Sequence, residues 1–491
     1  MSLKINPLLM TDGYKTSHRL MYPPKTTLVY SNYTCRSAKY MPDIAKNVVV
    51  FGIQYTFRYI DDIFRNEFFS RDKYQVCQEA KQYLSSYLGT DYDVSHFEEL
   101  HDLGYLPIRV KALEEGTVVQ TGIPLFTIVN THSDFFWITN FLETLISTLI
   151  WKPVHSASLA YGYKKILTKY AEETGIDPMF VNFQGHDFSF RGMQSPEAAI
   201  SSGMGFLTSF MGTDTLPTLQ AIKYYYGDDN VGFSVPASEH SVMCSHGKEG
   251  EINTLKYLMK QYPTGILSVV SDTWDLWKLI TEYLPQLKEE ILSRDGKLVI
   301  RPDSGDPVDI ICGQQFDYKI KTSKPEHKGV IELLWDIFGG TVNEQGYKVL
   351  DPHIGCIYGD SITPERAIQI AERLKAKGFA NQVVLGIGSY SMGYATRDNQ
   401  GGAVKSTYVE VDNEARPIFK DPITDDGTKK SAKGLLMVTK DDLENYIVLS
   451  NVSKGEESQG LLKLIYEDGS FYNTTTLNEI RNRLESNIKH S

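Results

Sequence analysis

The pattern of hydrophobic positions changes along the 491-residue chain. In the first part, apolar positions alternate with polar ones from Leu106 to Val129, which predicts antiparallel strands joined by a hairpin. From about 180 to 395, short β-branched runs alternate with amphipathic helices, which favours βα units around a parallel sheet. Alternation returns from Ser406 to Val411, and a last surface helix is predicted over Thr476 to Ile488.

Two helical regions carry clear start and stop signals. Thr363 is expected to cap a helix that has Pro364 in its first turn and Gly378 after its end. The region from Phe135 to Gly175 is predicted as two long helices separated near Pro153, because proline is unfavourable inside a helix.

These patterns predict an α/β protein with an irregular TIM-like α/β barrel and a discontinuous, β-rich α+β domain. We expect the N-terminal part of the discontinuous domain at 1–178, the barrel at 179–395 and the C-terminal part at 396–491. The predicted strands of the barrel are irregularly spaced, which disfavours a regular eightfold barrel.

Composition and charge narrow the functional classes. A net charge of -11 disfavours nucleic acid or an anionic membrane as the main partner. The five cysteines are widely spaced without a C-x-x-C pair, which indicates reduced thiols in a cytoplasmic protein. We expect no signal peptide and no membrane helix, because no segment reaches about 20 apolar residues.

Polar side chains collect where the predicted strands of the middle part end. The carboxyl ends of parallel strands meet on one face of a sheet or barrel, so these side chains predict an active site there. The segments concerned are Phe183 to Gly192, Gly232 to Ser241, Ser268 to Asp275, Leu298 to Pro307 and Ile357 to Thr363.

His240 is the most informative of these residues. It can serve as a general base, a metal ligand or a phosphate acceptor, although a single histidine is more often structural. The nearby Glu239 and Ser234 favour a functional role. A zinc site with Cys244 and His246 is a weaker alternative, because the sequence has no second ligand cluster.

Charged residues at three other strand ends suit a phosphorylated sugar. Arg301 follows an apolar strand and can grip phosphate with its planar guanidinium, and Asp303 can accept hydrogen bonds from sugar hydroxyls. Asp272 and Asp360 also end strands, where capping of the next helix is the alternative role for each. Aspartates at three parallel strand ends together favour a shared polar site that includes a divalent cation.

A series of motifs resembles those of the nicotinamide phosphoribosyltransferases, which belong to the type II phosphoribosyltransferases. The likeness covers nearly the whole chain. The motifs are TDGYK at Thr11 to Lys15, HDF-x-x-RG at His186 to Gly192, GTDT at Gly212 to Thr215, SVPA-x-EHS at Ser234 to Ser241, VVSD at Val269 to Asp272, IRPDSG at Ile300 to Gly305, GD at Gly359-Asp360 and TRD at Thr396 to Asp398.

This resemblance implies an activity in NAD salvage. The enzyme would transfer the 5-phosphoribosyl group from phosphoribosyl pyrophosphate to nicotinamide, giving nicotinamide mononucleotide and pyrophosphate. It implies Mg²⁺ as cofactor and ATP as co-substrate, with His240 phosphorylated by ATP and oriented by Glu239 and Asp272. It also implies a homodimer with shared active sites.

The resemblance assigns roles to individual residues. Phe188 and, from the other subunit, Tyr14 would enclose the pyridine ring, while Asp214 would accept the carboxamide N–H. The catalytic residues would be His240, Glu239, Asp272 and Asp303. The remaining substrate residues would be Arg191, Ser234, Ser268, Arg301, Gly359, Asp360, Gly388, Ser389 and Arg397, and the phosphate and pyrophosphate residues would be Arg36, Lys405, Lys420 and Lys429.

Three alternatives remain at this stage. Nicotinate phosphoribosyltransferase is the nearest, and Asp214 disfavours it because a carboxylate repels an acid substrate. Another barrel enzyme acting on a sugar phosphate is the second, although no lysine at a strand end suggests an aldolase. A non-catalytic binding protein is disfavoured by the presence of His240, Arg301 and Asp303.

Overall fold

The structure is a computed structural model that describes residues 4–314, 324–420 and 432–489. These residues form two compact units. Unit 1 takes in the described residues of 1–158, 221–228 and 396–491, and unit 2 takes in those of 159–220 and 229–395.

The strands fall mostly where β-branched and aromatic residues alternate or cluster. In chain order they are β1 Thr26–Cys35, β2 Val48–Val49, β3 Ile108–Ala112, β4 Val118–Val119, β5 Pro124–Asn130, β6 Gly185–Asp187, β7 Gly212–Thr213, β8 Thr264–Val270, β9 Asp295–Arg301, β10 Gly340–Val342, β11 Lys348–Leu350, β12 Ile354–Tyr358, β13 Val384–Ile387, β14 Gly402–Val411, β15 Glu414–Pro417, β16 Leu435–Lys440, β17 Tyr446–Val452, β18 Lys463–Glu467 and β19 Ser470–Phe471.

The α-helices vary from single turns to a helix of 32 residues. No helix in the described ranges is both long enough and apolar enough to cross a membrane. In chain order they are α1 His18–Met21, α2 Ile53–Phe64, α3 Lys73–Leu88, α4 Ser95–Leu103, α5 Ile138–Phe141, α6 Glu143–Thr174, α7 Pro178–Gln184, α8 Pro196–Phe206, α9 Leu216–Tyr226, α10 His240–Ser245, α11 Glu251–Gln261, α12 Leu276–Lys278, α13 Leu284–Gln286, α14 Lys288–Leu292, α15 Pro307–Cys312, α16 Pro325–Phe338, α17 Pro364–Ala376, α18 Ser389–Met392, α19 Lys454–Glu457 and α20 Leu477–Lys489.

A seven-stranded sheet forms the centre of unit 1, in the order β15-β14-β1-β5-β3-β18-β19. All of its neighbouring strands are antiparallel, and the long β1 from the N-terminal part pairs with β14 from the C-terminal part. β3 and β5 form the antiparallel pair predicted between Leu106 and Val129. Buried aromatic side chains pack beside the sheet, including Phe57, Phe126 and Tyr466.

The prediction of two long helices separated near Pro153 is wrong. Helix α6 continues through Pro153 for 32 residues, and only short helical turns precede it. Its neighbours Val154 and Ala157 are fully buried, and the proline ring lies against Gly52, where an added Cβ would come within 2.7 Å of Pro153 Cγ. Packing of the buried face therefore outweighs the roughly 3 kcal/mol that a proline costs inside a helix.

A six-stranded parallel sheet forms the centre of unit 2, in the order β7-β6-β13-β12-β9-β8. Isolated parallel bridges join Phe233 to Gly212 at the β7 edge and Ala237 to Ser268 at the β8 edge. The sheet is therefore curled, with the segment that carries Ser234 lying between its two edges. This confirms the predicted α/β class with a parallel sheet.

The helix after β12 begins as the sequence predicts. Thr363 Oγ1 accepts a hydrogen bond from the Arg366 N–H at 3.3 Å, and Pro364 is the first helical residue of α17. Gly378 follows the helix with a φ of 76°, which glycine adopts at little cost.

Candidate active site

The carboxyl ends of the parallel strands in unit 2 carry nine of the twenty predicted site residues. Because the strands run in the same direction, these ends lie on one face of the curled sheet. The residues there are Phe188 after β6, Asp214 after β7, Asp272 after β8, Arg301 and Asp303 at and after β9, Gly359 and Asp360 after β12, and Gly388 and Ser389 after β13.

Phe188 and Arg301 form a flat, charged surface. The Phe188 N–H donates to the Ile387 carbonyl at 3.0 Å, which fixes the residue beside β13. Gly386 makes room for the ring, because an added Cβ at that position would collide with it. Arg301 Cζ lies 4.9 Å from the ring centroid, within the range of a cation–π interaction. This surface suits a planar aromatic ligand.

Asp214 receives two hydrogen bonds on one carboxylate oxygen. His186 Nε2 lies 2.9 Å from Oδ1, and Ser234 Oγ donates to the same atom at 2.7 Å. Burial raises the pKa of Asp214, but the hydrogen bonds from His186 and Ser234 and the charge of Arg301 outweigh it and lower the pKa overall. Asp214 is therefore an ionised acceptor beside the aromatic surface.

A fully buried carboxylate, Asp187, holds the turn that carries these residues. Its Oδ1 accepts from the Ser189 N–H at 2.9 Å and from Ser189 Oγ at 2.6 Å. Its Oδ2 accepts from Thr215 Oγ1 at 2.8 Å, and its carbonyl accepts from the Asp214 N–H at 3.0 Å. The sequence alone assigns no role to Asp187 or His186, although the HDF motif contains both.

Asp272 links the ends of β8 and β9. Its Oδ2 accepts from the Asp303 N–H at 2.9 Å and from Ser304 Oγ at 2.5 Å. Its Oδ1 is buried and has no hydrogen-bond partner in the described ranges. The capping alternative does not apply to Asp272, since Asp275 caps α12. An orphaned carboxylate oxygen at a strand end indicates a position for a ligand.

Arg301 and Asp303 occupy a narrow space beside Gly359. Arg301 Nη2 lies 3.6 Å from Asp303 Oδ1, and the buried Arg301 Nε has no partner within the described part of the chain. A Cβ on Gly359 would collide with Asp303 Oδ1 and lie 2.8 Å from Arg301 Nε. Asp360 is exposed and caps no helix, because Thr363 caps α17.

His240 faces two of these carboxylates. Its Nε2 lies 3.9 Å from Asp272 Oδ1 and 3.8 Å from Asp303 Oδ2. Its Nδ1 lies 3.2 Å from Thr273 Oγ1, and about half of the side chain (48%) is exposed. The ring thus lies beside two acids and is accessible to solvent.

Glu239 and Ser268 are two further predicted site residues, and neither makes a hydrogen bond to another predicted site residue in the described ranges. The Glu239 carboxylate accepts from Ser241 Oγ, and within the described residues it makes no hydrogen bond or ion pair with His240. Ser268 Oγ is buried and lacks a hydrogen-bond partner in the part of the chain that is described. It is therefore a second unsatisfied polar atom close to the end of β8.

The turn after β6 meets the turn after β13. Arg191 is exposed in a short 3-10 helix, Phe190–Gly192. Gly192 makes room for Ser389, because an added Cβ would collide with the serine hydroxyl. The Gly388 carbonyl accepts from the Met392 N–H at 3.1 Å and so closes the single turn of α18.

In unit 1, a group of cations includes three of the predicted phosphate residues, Arg36, Lys405 and Lys420, together with Lys15. Lys15 Nζ lies 2.5 Å and Lys405 Nζ 4.0 Å from the carboxylate of Glu143. Burial is the main cause that lowers the pKa of Lys405, and Glu143 opposes it. Further lowering comes from the charges of Arg36, Lys15 and Lys420.

The other predicted residues of unit 1 are at the surface. The Tyr14 side chain is exposed, and Arg397 Nη2 lies 3.6 Å from Asp398 Oδ1. Lys429 lies outside the described residues. No group of three or more His, Cys, Asp or Glu side chains in the described ranges is arranged to hold a metal ion, so these ranges give no support to the zinc alternative.

Comparison with known proteins places the chain in a family. The nicotinate phosphoribosyltransferase (NAPRTase) family model matches residues 183–470, and the model of the nicotinamide phosphoribosyltransferase N-terminal domain matches residues 6–110. The chain is 46% identical over 503 residues to nicotinamide phosphoribosyltransferase of Acinetobacter baylyi, which covers 100% of this chain and 99% of the relative. The chain belongs to the nicotinamide phosphoribosyltransferase family.

Other relatives agree with this assignment. Nicotinamide phosphoribosyltransferase of Xanthomonas campestris is 33% identical over 487 residues, covering 97% of each chain. Among solved structures, human nicotinic acid phosphoribosyltransferase superposes with a TM-score of 0.55 at 14% identity, covering 97% of this chain and 93% of that chain. A nicotinate-nucleotide pyrophosphorylase from Pyrococcus furiosus gives 0.58 at 14% identity, covering 100% and 97%. These two structures show a likeness of fold alone.

Proposed function

We propose that the protein transfers the 5-phosphoribosyl group from phosphoribosyl pyrophosphate to nicotinamide, giving nicotinamide mononucleotide and pyrophosphate in NAD salvage. The observation that carries this proposal is the ionised Asp214 beside the surface of Phe188 and Arg301. Nicotinamide has a flat ring and an amide N–H donor, which match these two features. The family of the chain supports the same reaction.

In the proposed mechanism, the pyridine ring stacks on Phe188 and its amide N–H donates to Asp214. Stacking and the hydrogen bond together fix the direction of the ring nitrogen, which lowers the entropic cost of the attack. The pyridine nitrogen forms a bond to C1 of the ribose while the bond from C1 to the pyrophosphate oxygen breaks. Pyrophosphate leaves with the electron pair of that bond.

The carboxylates and Arg301 then act on the charges that develop. Positive charge grows on the ribose ring in the transition state, and the negative charge of Asp303 would stabilise it. Asp303 lies 3.6 Å from Arg301, so both side chains can contact the same phosphorylated sugar. The guanidinium of Arg301 has an unsatisfied Nε that suits an anionic oxygen. By the family resemblance, Asp303 and Asp360 would contact the ribose, and Gly388 and Ser389 would hold its 5-phosphate.

The residues present fit a Mg²⁺ ion. Asp272 offers a buried, unpartnered carboxylate oxygen, and Asp303 supplies a second carboxylate at the adjacent strand end. Hard oxygen ligands of this type, together with substrate phosphates, are the usual partners of Mg²⁺. When bound, the ion would neutralise the negative charge of the departing pyrophosphate.

We also propose that ATP phosphorylates His240. The accessible ring and the neighbouring Asp272 and Asp303 support this role, because carboxylates next to Nε2 can orient the ring. Glu239 belongs to the proposed catalytic set on the strength of the family resemblance. Its own hydrogen bond goes to Ser241.

We further propose a cytoplasmic homodimer with shared active sites. The exposed Tyr14 and the cationic group in unit 1 suit a site completed by a second copy. The pairing of β1 with β14 supports a discontinuous domain made by the two chain ends. Complementation tests the shared sites: an inactive Tyr14→Ala protein mixed with an inactive Asp303→Ala protein should regain activity once subunits exchange. No recovery after demonstrated exchange would contradict this arrangement.

The activity itself is tested with purified protein, phosphoribosyl pyrophosphate, magnesium and nicotinamide. We expect nicotinamide mononucleotide and pyrophosphate in equal amounts, detected by chromatography and mass. Asp214→Ser should keep the fold but narrow the preference for nicotinamide over nicotinate, since it removes the charge that excludes the acid. Absence of nicotinamide mononucleotide with properly folded protein would contradict the proposal.

A further inference from the structure

His186 is flanked in the sheet by two glycines on the neighbouring strands. It lies opposite Gly212 of β7 and Gly386 of β13. A Cβ on Gly212 would come within 2.7 Å of His186 Nδ1, so the glycine leaves the space that the imidazole fills. The side chain is only 10% exposed, and its ring centroid is 4.7 Å from that of Phe188. The imidazole therefore forms part of the wall behind the aromatic surface.

The hydrogen bonds of Asp214 are distributed unequally between its two oxygens. His186 Nε2 and Ser234 Oγ both contact Oδ1, at 2.9 and 2.7 Å. An ionised carboxylate only accepts hydrogen bonds, so the proton of this contact lies on His186 Nε2. No hydrogen bond from the described residues reaches Oδ2. Oδ2 is thus the acceptor that remains for a substrate.

We propose that His186 determines the choice between an amide and an acid substrate, by holding Oδ1 of Asp214 and leaving Oδ2 as the single acceptor for an amide N–H. This inference rests on the proposed function, because it assigns a role within the same acceptor site. His186 acts through Asp214, so it is a positioning residue.

The chemistry of the two substrates explains why this contact matters. Nicotinamide can donate an N–H to Oδ2, whereas nicotinate brings a second carboxylate and no donor. Two carboxylates share a site only when one of them takes up a proton. The donor of His186 makes that protonation of Asp214 less favourable, so it acts mainly against nicotinate. Loss of the donor should therefore change selectivity more than it changes activity.

Two substitutions separate the donor from the shape of the ring. His186→Phe keeps an aromatic side chain and removes the N–H, and His186→Gln keeps an N–H at a similar reach. We expect His186→Phe to lower the ratio of kcat/KM for nicotinamide to kcat/KM for nicotinate by about tenfold or more, the usual effect of one hydrogen bond to a charged group. His186→Gln should retain most of the ratio. A smaller fraction of folded protein lowers kcat/KM for both substrates by the same factor, so the ratio reports only on the enzyme that is folded.

A third variant changes the same contact from the neighbouring strand. In Gly212→Ala the new Cβ would press on Nδ1 and move the ring away from Asp214, so the ratio should fall without removal of any polar group. His353→Gln is the matched control: His353 Nδ1 lies 2.7 Å from Asp351 Oδ1, just before β12 and away from the strand ends that form the site. We expect this control to keep the parental ratio.

The measured ratios test the role of His186 separately from the proposed transferase activity. A parental enzyme that prefers nicotinamide, with an unchanged ratio in His186→Phe and Gly212→Ala, would overturn the role of His186 alone. A Gln variant as unselective as the Phe variant would also overturn it, because the donor would then be irrelevant. A parental enzyme that makes no nicotinamide mononucleotide would instead overturn the proposed function.

Discussion

The backbone N–H of Asp303 donates to Asp272 Oδ2 at 2.9 Å and so ties the end of β9 to the end of β8. The same oxygen accepts from Ser304, while Oδ1 has no hydrogen-bond partner within the described ranges. One carboxylate therefore does two things: it shapes the turn that presents Asp303 and it offers a buried oxygen to a ligand. Asp272 is for this reason a sensitive point of the site.

Replacing Asp272 with alanine should reduce activity far more than stability. The Asp303 N–H is only partly buried and the Ser304 hydroxyl is exposed, so water can replace the lost acceptor and the free energy of unfolding should fall by only about 1 kcal/mol. The turn that holds Asp303 also loosens. We expect kcat to fall by roughly 100-fold or more. Steady-state kinetics and thermal unfolding measure the two effects.

Asp275→Ala is the matched control for this change. Asp275 accepts from the Lys278 N–H at 3.0 Å as the cap of α12, so its loss should cost about 1 kcal/mol of stability and little activity. Equal activity in the Asp272 and Asp275 variants would show that the link between β8 and β9 has no catalytic importance.

Gly359→Ala should inactivate the enzyme through geometry alone. The added Cβ would collide with Asp303 and crowd Arg301 Nε, so both side chains would have to move from their positions at the end of β9. We expect kcat/KM to fall by about 100-fold, since small displacements of catalytic groups are costly. Gly250→Ala, where the Cβ would meet nothing within 4 Å, should behave like the parent. Full activity of the Gly359 variant would contradict the proposed role of this narrow space.

His240 should become phosphorylated when the enzyme is incubated with ATP and magnesium. The accessible ring between Asp272 and Asp303 motivates this expectation. His240→Gln should abolish both the acid-labile phosphoenzyme and ATP hydrolysis, while transfer to nicotinamide continues at a lower yield. His246→Gln changes another exposed histidine six positions along the chain and serves as the control. Undiminished ATP hydrolysis by His240→Gln would exclude His240 as the acceptor.

Much of this site was predictable from the sequence because strand ends carry their own signals. Asp272, Arg301 and Asp303 follow apolar runs, and the sheet then gathers them by its parallel topology. Thr363 and the helix after it were predictable for a similar reason, since capping is local. Local patterns are sufficient where local interactions decide the structure.

Tertiary contacts explain what the sequence did not reveal. Pro153 is tolerated within α6 because its surroundings are buried, and no local pattern shows that burial. The roles of His186 and Asp187 depend on Gly212 and Asp214, which lie on the next strand of the sheet. The contact of Glu239 with Ser241 rather than His240 likewise depends on side-chain directions that the sequence leaves open.

Two buried histidines of unit 1 should make the protein sensitive to acid. Burial lowers the pKa of His96 and of His155 to about 3, with Arg19 and Lys152 adding to the effect. In the unfolded chain these groups take up protons near pH 6.5, so between about pH 6.5 and 3 the unfolded state binds more protons than the folded state. Stability is therefore complete above about pH 6.5 and falls as the pH decreases through this window.

A substitution of His96 measures how much this one histidine contributes to the pH dependence of stability. In the parent, His96 should lower the free energy of unfolding by about 2 kcal/mol between pH 7 and pH 5, and His96→Phe should abolish this decrease. Urea unfolding at the two pH values measures it. His132→Gln, which changes an exposed histidine, should leave the pH dependence as it is in the parent. An identical pH dependence in the His96 variant would contradict the assignment.

The most direct test of the proposed substrate preference is a competition between nicotinamide, an amide, and nicotinate, the corresponding acid. The parental enzyme receives equal concentrations of nicotinamide and nicotinate with limiting phosphoribosyl pyrophosphate and magnesium, and the two mononucleotide products are separated and identified by mass. In the proposed site Asp214 pairs with an amide N–H and repels a carboxylate, so we expect nicotinamide mononucleotide to dominate by on the order of 10⁴-fold. Equal amounts of the two products, or an excess of nicotinate mononucleotide, would contradict it.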